Sequence, residues 1–165
     1  MIPVSTDYSG KQLDLECLQS LPEPDNRFTE VDPSVTSNTT KIVSGPQKLA
    51  QRYAVLFTTI IGSDTMDPDF GTRLLDKVVS GNFGGYTEVE FLANTANLFT
   101  KERIMQDDDA VDRFGDIPDD EKLKDCWISN VVVDRENRRI SIFASILTVA
   151  GESITFMVPT VAGVF

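Results

Sequence analysis

The sequence has no histidine, only two cysteines and one tryptophan, and no long run of apolar residues. Without histidine, the usual Ser-His and Cys-His nucleophile systems are excluded, because both need an imidazole base. Cys17 and Cys126 lie far apart and are too few for a disulfide framework or a zinc site. No apolar run approaches the roughly 20 residues of a membrane span, and the first residues lack the pattern of a signal peptide. We therefore expect a chain made and kept in the cytoplasm.

Basic residues are also scarce. The chain has 15 lysines and arginines against 26 aspartates and glutamates, for a formal net charge of −11. Such a surface repels nucleic-acid phosphates and anionic lipid, so direct binding to nucleic acid or membrane is not expected. The charge could favour a basic protein partner, or it could serve solubility alone. The length of 165 residues and the 41% hydrophobic content are typical of one soluble domain with a modest core.

Residues 1–43 are rich in proline and polar side chains. Their one compact apolar set is Leu13, Leu15, Leu18 and Leu21. This apolar content is too sparse to offset the entropy cost of ordering the whole stretch. We expect an N-terminal arm over 1–43 that orders on a partner or along the surface of a domain over 44–165. A disordered tail is the alternative.

The strongest helical pattern begins at Pro46, with Ser44 or Gly45 as its cap. The residues at helical spacing are Leu49, Tyr53, Leu56, Phe57, Ile60 and Ile61. This spacing predicts one buried helical face. We expect Gly62 to end the helix, and Pro68 prevents it from resuming.

Two further helices are predicted. The first spans 72–80, with Gly81 as its stop, and its apolar residues are Leu74, Leu75, Val78 and Val79. Residues 87–90 have the pattern of a capping box, which predicts a helix from Thr87 to about Met105. Its predicted buried stripe consists of Val89, Leu92, Ala96 and Phe99.

An acidic insertion is predicted at about 106–126, where nine carboxylates face three basic residues. We expect a solvated charge run, and a short helix over 109–114 is one alternative. Asp107 to Asp109, and Asp64 with Asp67 and Asp69, could gather oxygen ligands for calcium. Neither set has the spacing, central glycine and terminal glutamate of an EF-hand loop, so no metal site is predicted.

From Trp127 onward, apolar and polar residues alternate with a period of two. Strands over 128–134, 138–150 and 152–160 are predicted, with a turn at Gly151, and together they form a three-stranded antiparallel meander. In the middle strand, Ile140, Ile142, Ala144 and Ile146 alternate with Ser141, Phe143, Ser145 and Leu147. We expect the helices to pack on the apolar face, giving a two-layer α+β domain.

An ordered set of residues supports a family resemblance. The set is Gly45-Pro46, Leu49-Ala50-Gln51-Arg52, Leu56, Thr58-Thr59, Gly62, Pro68, Phe70-Gly71 and Leu74. It resembles the baseplate wedge and sheath-initiator family of contractile phage tails, which has relatives in type VI secretion systems. The resemblance covers roughly 44–104 and the strands over 127–159. Where the family has Gly-Glu-Arg after the first helix, this chain has Gly62-Ser63-Asp64.

The resemblance implies a structural virion protein of the tail baseplate, assembled in the host cytoplasm and present in multiple copies in a symmetric ring. The implied partners are the tail sheath protein, baseplate wedge proteins, and tail tube or hub proteins. In the family, the C-terminal strands accept extended sheath arms as added strands. The positions implied for that contact are Ile140, Ile142, Ala144, Ile154, Phe156 and Val158. Glu102 and Arg103 match part of a Glu-Pro-Arg motif, which implies contact with the wedge core, and a helix-surface ion pair is the alternative.

Some family members have carried a lysozyme label, so peptidoglycan cleavage by a tail lysozyme is the alternative function. Glycoside hydrolysis needs two carboxylates across a cleft, and the candidates are Glu88, Glu90, Glu102 and Asp69. A helix start accounts for Glu88 and Glu90, and a polar loop accounts for Asp69. We therefore predict a protein that is not an enzyme, with no catalytic residue and no cofactor.

Overall fold

The computed structural model describes residues 14–15, 18–20, 28–31, 42–81, 84–112, 117–134, 136 and 139–158. The first elements in these ranges are four short strands, β1 (Asp14–Leu15), β2 (Leu18–Ser20), β3 (Phe28–Val31) and β4 (Ile42–Val43). Three helices follow, α1 (Pro46–Thr58), α2 (Leu74–Val79) and α3 (Tyr86–Asp112). The last elements are β5 (Leu123–Asp134), β6 (Arg139–Thr148) and β7 (Ser153–Val158). Helices pack on a three-stranded antiparallel sheet, so the α+β prediction is confirmed.

The C-terminal sheet has the strand order β5-β6-β7. Both pairings are antiparallel, and a bulge between Ile128 and Asn130 interrupts the ladder between β5 and β6. The predicted apolar face of the middle strand is confirmed, because Ile140, Ile142, Ala144 and Ile146 are all buried. Alternation with a period of two therefore assigned the core face of the sheet correctly.

Helix α1 covers this face. Its Tyr53 ring stacks on Phe57 with ring centroids 5.5 Å apart and meets the edge of Phe156 on β7 at 5.7 Å. Leu49 and Leu56 are buried on the same side of α1. The aromatic contacts join the first helix to the last strand, so the core connects the two ends of the described domain.

The end of α1 differs from the prediction. The helix stops at Thr58, Thr59 has extended backbone, and Ile60 and Ile61 are both more than a third exposed. Ile60 forms an isolated parallel β-bridge with Thr72. The extended backbone of this bridge is incompatible with continuing the helix through Ile60. Gly62, with φ of 83°, belongs to the following loop, so its prediction as the helix stop was wrong.

The return of this loop depends on Gly71. Its φ of 107° is strained for any residue with a side chain, and an added Cβ would lie 2.5 Å from the Thr59 carbonyl oxygen. The close approach lets Thr72 donate its N–H to that same oxygen at 2.7 Å. The Thr72 hydroxyl also donates to the Phe57 carbonyl at 2.8 Å, which fixes the loop to the last turn of α1.

Helix α2 is shorter than predicted, and only two of its four apolar residues are buried. These are Leu74 and Val78, while Leu75 is partly buried and Val79 is 45% exposed. A helix of six residues can present only a narrow face to the core. The predicted stop at Gly81 fits its φ of 67°.

Helix α3 begins one residue before Thr87 and extends seven residues beyond Met105. Thr87 is therefore not the cap, although Glu88 does accept the backbone N–H of Gly84 as a capping carboxylate. Val89 and Ala96 are buried as predicted, whereas Phe99 is 61% exposed and its prediction was wrong. The buried face of α3 is completed by Ala93, Asn97, Thr100 and Ile104.

Two small ladders precede α1, because β1 pairs with β4 and β2 pairs with β3. Cα atoms of β3 come within 8 Å of Cα atoms of β7. In the described ranges, no helix is both long enough and apolar enough to cross a bilayer.

Candidate functional site

The central strand β6 lies between β5 and β7. It pairs with β5 along its length and with β7 over Ile142–Leu147, and Ile140, Ile142 and Ala144 are completely buried. An incoming strand cannot add to a strand that is already paired on both sides. The pairing leaves no free backbone for strand addition at Ile142 and Ala144, whereas the same assignment for Ile140 stays a prediction; the side chains of all three residues form part of the core.

The hydrogen-bond phase of β7 follows from its hairpin with β6. Thr148 donates its N–H to the Glu152 carbonyl at 2.9 Å, which marks a hydrogen-bonded pair. In an antiparallel ladder such pairs alternate with non-hydrogen-bonded pairs. The register then directs the backbone groups of Ile154, Phe156 and Val158 toward β6, and their side chains are buried in the core. These residues lie on β7, but their backbone groups do not form its outer edge.

The outer edge of β7 is formed by the alternate residues Ser153, Thr155 and Met157. The Thr155 hydroxyl lies 2.7 Å from the Ser145 hydroxyl, and Ser153 and Thr155 are exposed while Met157 is 9% exposed. Among the described residues, no ladder joins β3 or any other strand to this edge. It is therefore the candidate docking edge.

The other edge of the sheet is partly capped by α3. Asn97 donates its amide to the Cys126 carbonyl at 3.3 Å, and Asp108 accepts the Leu123 N–H at 3.3 Å. Asp125 accepts the N–H of Cys126 at 2.8 Å. Because these side chains occupy backbone groups that face away from β6, the first part of β5 is closed to an added strand.

The acidic stretch contributes two buried carboxylates, Asp108 and Glu121, which we call the acidic clasp. Asp108 pairs with Arg52 at 2.5 Å. Glu121 accepts the N–H of Gly45 and pairs with Lys48, both at 3.1 Å. The prediction of a solvated insertion was therefore wrong for these residues, since they hold α3 and the start of β5 against α1.

The acidic clasp was not predicted from the sequence, although the positions of two basic residues on α1 indicate it. Lys48 and Arg52 are one helical turn apart on α1, beside its buried residues, where unpaired cations would be costly. They line a cavity of about 390 Å³ together with Asp107, Ile117 and Glu121. Since ion pairs within the chain occupy both cations, the cavity offers no obvious anion site.

Glu102 and Arg103 have different surroundings. Arg103 bonds to Asp67 in the loop after α1, and its Nε lies 3.1 Å from Asp107 Oδ1. These ion pairs within the chain hold the loop against α3. Glu102 is exposed. Their contact with a wedge core stays a prediction, and Glu102 is the member of the pair that a partner can reach.

Two of the carboxylates considered for hydrolysis, Glu88 and Glu102, are too far apart to act together across one cleft. Glu88 and Glu102 lie on one helix 14 residues apart, or about 21 Å along its axis, whereas paired glycosidase carboxylates are about 5–10 Å apart. Glu88 is engaged with Gly84, and Asp69 is exposed in the loop after α1. Glu90 is partly exposed in the first turn of α3.

Several of the carboxylates considered for calcium have other partners within the chain. Asp64 accepts the N–H of Met66 at 2.8 Å and that of Asp67 at 3.3 Å, the self-bonding expected of a polar loop. Asp107 and Asp108 are held by cations. Within the described ranges, no three carboxylates or cysteines are grouped closely enough to hold a metal ion.

Cys126 is a buried thiol beside a partly exposed Trp127. Burial raises the pKa of Cys126 from 9.0 to about 12, against the opposing influence of Lys101. Lys101 bonds to Asp125 at 2.7 Å, and this hydrogen bond lowers the pKa of the Asp125 carboxyl. A thiol with so high a pKa is a poor nucleophile at neutral pH. Cys17 lies outside the described residues.

No model of a protein family, no curated protein and no solved structure matches this chain. A function must therefore be argued from the fold, the edges of its sheet and the resemblance in its sequence.

Proposed function

We propose that this chain is a non-enzymatic structural component of a contractile phage tail baseplate. It docks the first sheath subunits by β-strand addition and so initiates sheath assembly. The observation that carries the proposal is the outer edge of β7, where Ser153, Thr155 and Met157 direct backbone groups away from the sheet. An extended segment of another chain can satisfy such groups by forming one more strand.

The geometry favours β7 over the alternatives. Strand β6 is paired on both sides, and α3 side chains cap the first part of β5. Strand β7 has six residues, and its ladder reaches Val158. An added strand would therefore gain only a few main-chain hydrogen bonds per copy. A ring of several copies would multiply this modest affinity.

The resemblance supplies the identity of the partners. It assigns the incoming strand to the tail sheath protein, and it assigns further contacts to baseplate wedge proteins and to tube or hub proteins. Strand β3 lies near β7 without pairing with it, so the proposal requires that β3 leave this edge accessible.

Proline at position 155 tests the edge. Thr155→Pro removes an outward N–H that the fold does not use, and proline is tolerated on edge strands. We expect a folded monomer that no longer recruits purified sheath protein, measured by light scattering and electron microscopy of sheath formation. Thr155→Val is the matched control, because it keeps the N–H while removing the hydroxyl bond to Ser145. Normal sheath formation by the proline variant would sink the proposed mechanism.

A second variant separates docking from folding. Ile142→Asp places a charge in the core of the central strand, and we expect it to abolish folding rather than docking alone. Circular dichroism of all three variants makes the distinction.

A turbidity assay on peptidoglycan tests the alternative function. Clearing that Glu88→Gln or Glu102→Gln abolishes would overturn the structural assignment.

A further inference from the structure

A row of large apolar side chains lies on the outward side of α3. Phe91 is 68% exposed, Leu98 60%, Phe99 61% and Met105 41%. We call these four residues the α3 stripe. Isolated exposed apolar residues are ordinary, but four on one helix within 15 positions indicate an interaction surface.

Three members of the stripe are spaced seven residues apart. Seven residues fall about 20° short of two full helical turns, so Phe91, Leu98 and Met105 form a nearly straight ridge about 21 Å long. Thr95 lies beside the ridge between the first two, and its hydroxyl donates to the Phe91 carbonyl at 2.9 Å. A straight ridge with this period fits one partner helix lying along α3.

The core of this domain does not use the stripe. The buried face of α3 is formed by Val89, Ala93, Ala96, Asn97, Thr100 and Ile104. That face packs against α1 and β5 on the other side of the helix. The four residues of the α3 stripe are therefore not part of the core, and their exposure needs a different explanation.

Charge indicates what covers the stripe. Glu88, Glu102 and Asp109 are exposed and lie on one row beside the apolar ridge, with fourteen residues between the first two and seven between the last two. Helix α3 has seven carboxylates and two cations, Lys101 and Arg103, and both cations are in ion pairs within the chain. A second copy would bring two acidic faces together, which is unfavourable. A helix with basic flanks would instead pair with the acidic row.

We propose that the α3 stripe docks an amphipathic helix of a partner protein, with apolar residues over Leu98 and lysines or arginines facing Glu102 and Asp109. The surface lies on α3 rather than on β7, so it is independent of strand addition. It would give the chain a second attachment site. This inference does not depend on the proposed role in a phage tail.

Two synthetic peptides test the proposal with the full chain. Both are 21-residue helices with leucine at heptad positions, and one has lysine and arginine at its flanking positions while the other has glutamate. Fluorescence anisotropy measures binding of each labelled peptide. We expect the basic peptide to bind at least about tenfold more tightly than the acidic one, with an affinity that falls as salt rises.

Three variants locate the site. Leu98→Asp should weaken binding of the basic peptide by about tenfold or more, because it puts a charge at the centre of the ridge. Met66→Asp is the matched control, since Met66 is 92% exposed in the loop after α1 and should leave binding unchanged. Glu102→Lys should weaken the basic peptide and strengthen the acidic one. Circular dichroism and thermal unfolding check that each variant is folded.

Several outcomes would overturn the proposal. They are no binding of the basic peptide up to about 0.1 mM protein, equal affinity for both peptides, and equal loss in Leu98→Asp and Met66→Asp. Sedimentation velocity provides one more. If the chain forms a dimer that Leu98→Asp dissociates, a second copy covers the stripe and the partner helix is wrong.

Discussion

Tyr53 donates its hydroxyl to the side-chain oxygen of Asn97 at 2.7 Å, and both residues are buried. Asn97 donates in turn to the Cys126 carbonyl at 3.3 Å. One chain of hydrogen bonds therefore joins α1, α3 and β5. Polar groups buried in this way are satisfied only while all three elements remain packed together.

Removing the Tyr53 hydroxyl should destabilise the protein. Tyr53→Phe leaves the Asn97 oxygen buried without its donor, and we expect a loss of about 1–3 kcal/mol in the free energy of unfolding. Urea denaturation followed by circular dichroism measures it. Tyr86→Phe is the control, because Tyr86 is 47% exposed and should change stability by less than about 0.5 kcal/mol. Equal losses in the two variants would mean that the buried bond contributes nothing specific.

Two neighbouring aspartates on α3 should differ sharply in importance. Asp108→Asn removes the charge that pairs with Arg52 and weakens the acceptor for the Leu123 N–H, so we expect a cost of about 1–3 kcal/mol. Asp109→Asn makes the same chemical change at an exposed position and should cost less than about 0.5 kcal/mol. Chemical denaturation of both variants measures the difference. Similar effects would contradict the acidic clasp.

Alkaline pH should destabilise the fold. Burial raises the pKa of Cys126 to about 12, and burial together with the nearby Cys126 raises the pKa of Tyr53 well above 10.0. The unfolded chain loses these protons at lower pH than the folded chain does. Stability therefore falls as pH rises above about 9. Unfolding free energies measured between pH 7 and 11 check the direction, and Cys126→Ala should make the decline shallower.

The same burial predicts slow chemistry at the thiol. In a Cys17→Ser background, Cys126 should react with iodoacetamide at pH 8 far more slowly in the native protein than in urea, because thiolate is scarce and the side chain is covered. Equal rates in the two conditions would show that the β5 edge opens readily in solution.

Local sequence patterns predicted the helix and strands whose apolar faces form the core. The start of α1 at Pro46 and the order of the three C-terminal strands followed from caps, turns and periodicity. The end of α1 did not, because a bridge between Ile60 and Thr72 competes with the helix. A contact across the loop leaves little trace in the residues on either side of it.

The site was harder to predict than the fold. Arg52 and Asp108 are 56 residues apart, so nothing local distinguishes the buried carboxylate from its solvated neighbours. The edge residues of β7 depend on the hydrogen-bond phase set by the hairpin at Thr148 and Glu152. If the hydrogen-bonding pattern shifted by one residue, the backbone N–H and C=O groups of β7 that face β6 would exchange places with those that face away from it. The sequence therefore predicted that a strand lies here, whereas the residues on its outer edge follow only from the register.

The side chains of Asn97 and Asp108 make the two edges of the sheet unequal, because they cap backbone groups on β5 only. A protein with two accessible rims can string copies of itself into ribbons of unlimited length. Here the first part of one rim is sealed by the protein's own helix, which disfavours strand addition on that side relative to the opposite rim. A subunit with two unequal rims is less able to join copies of itself into such ribbons.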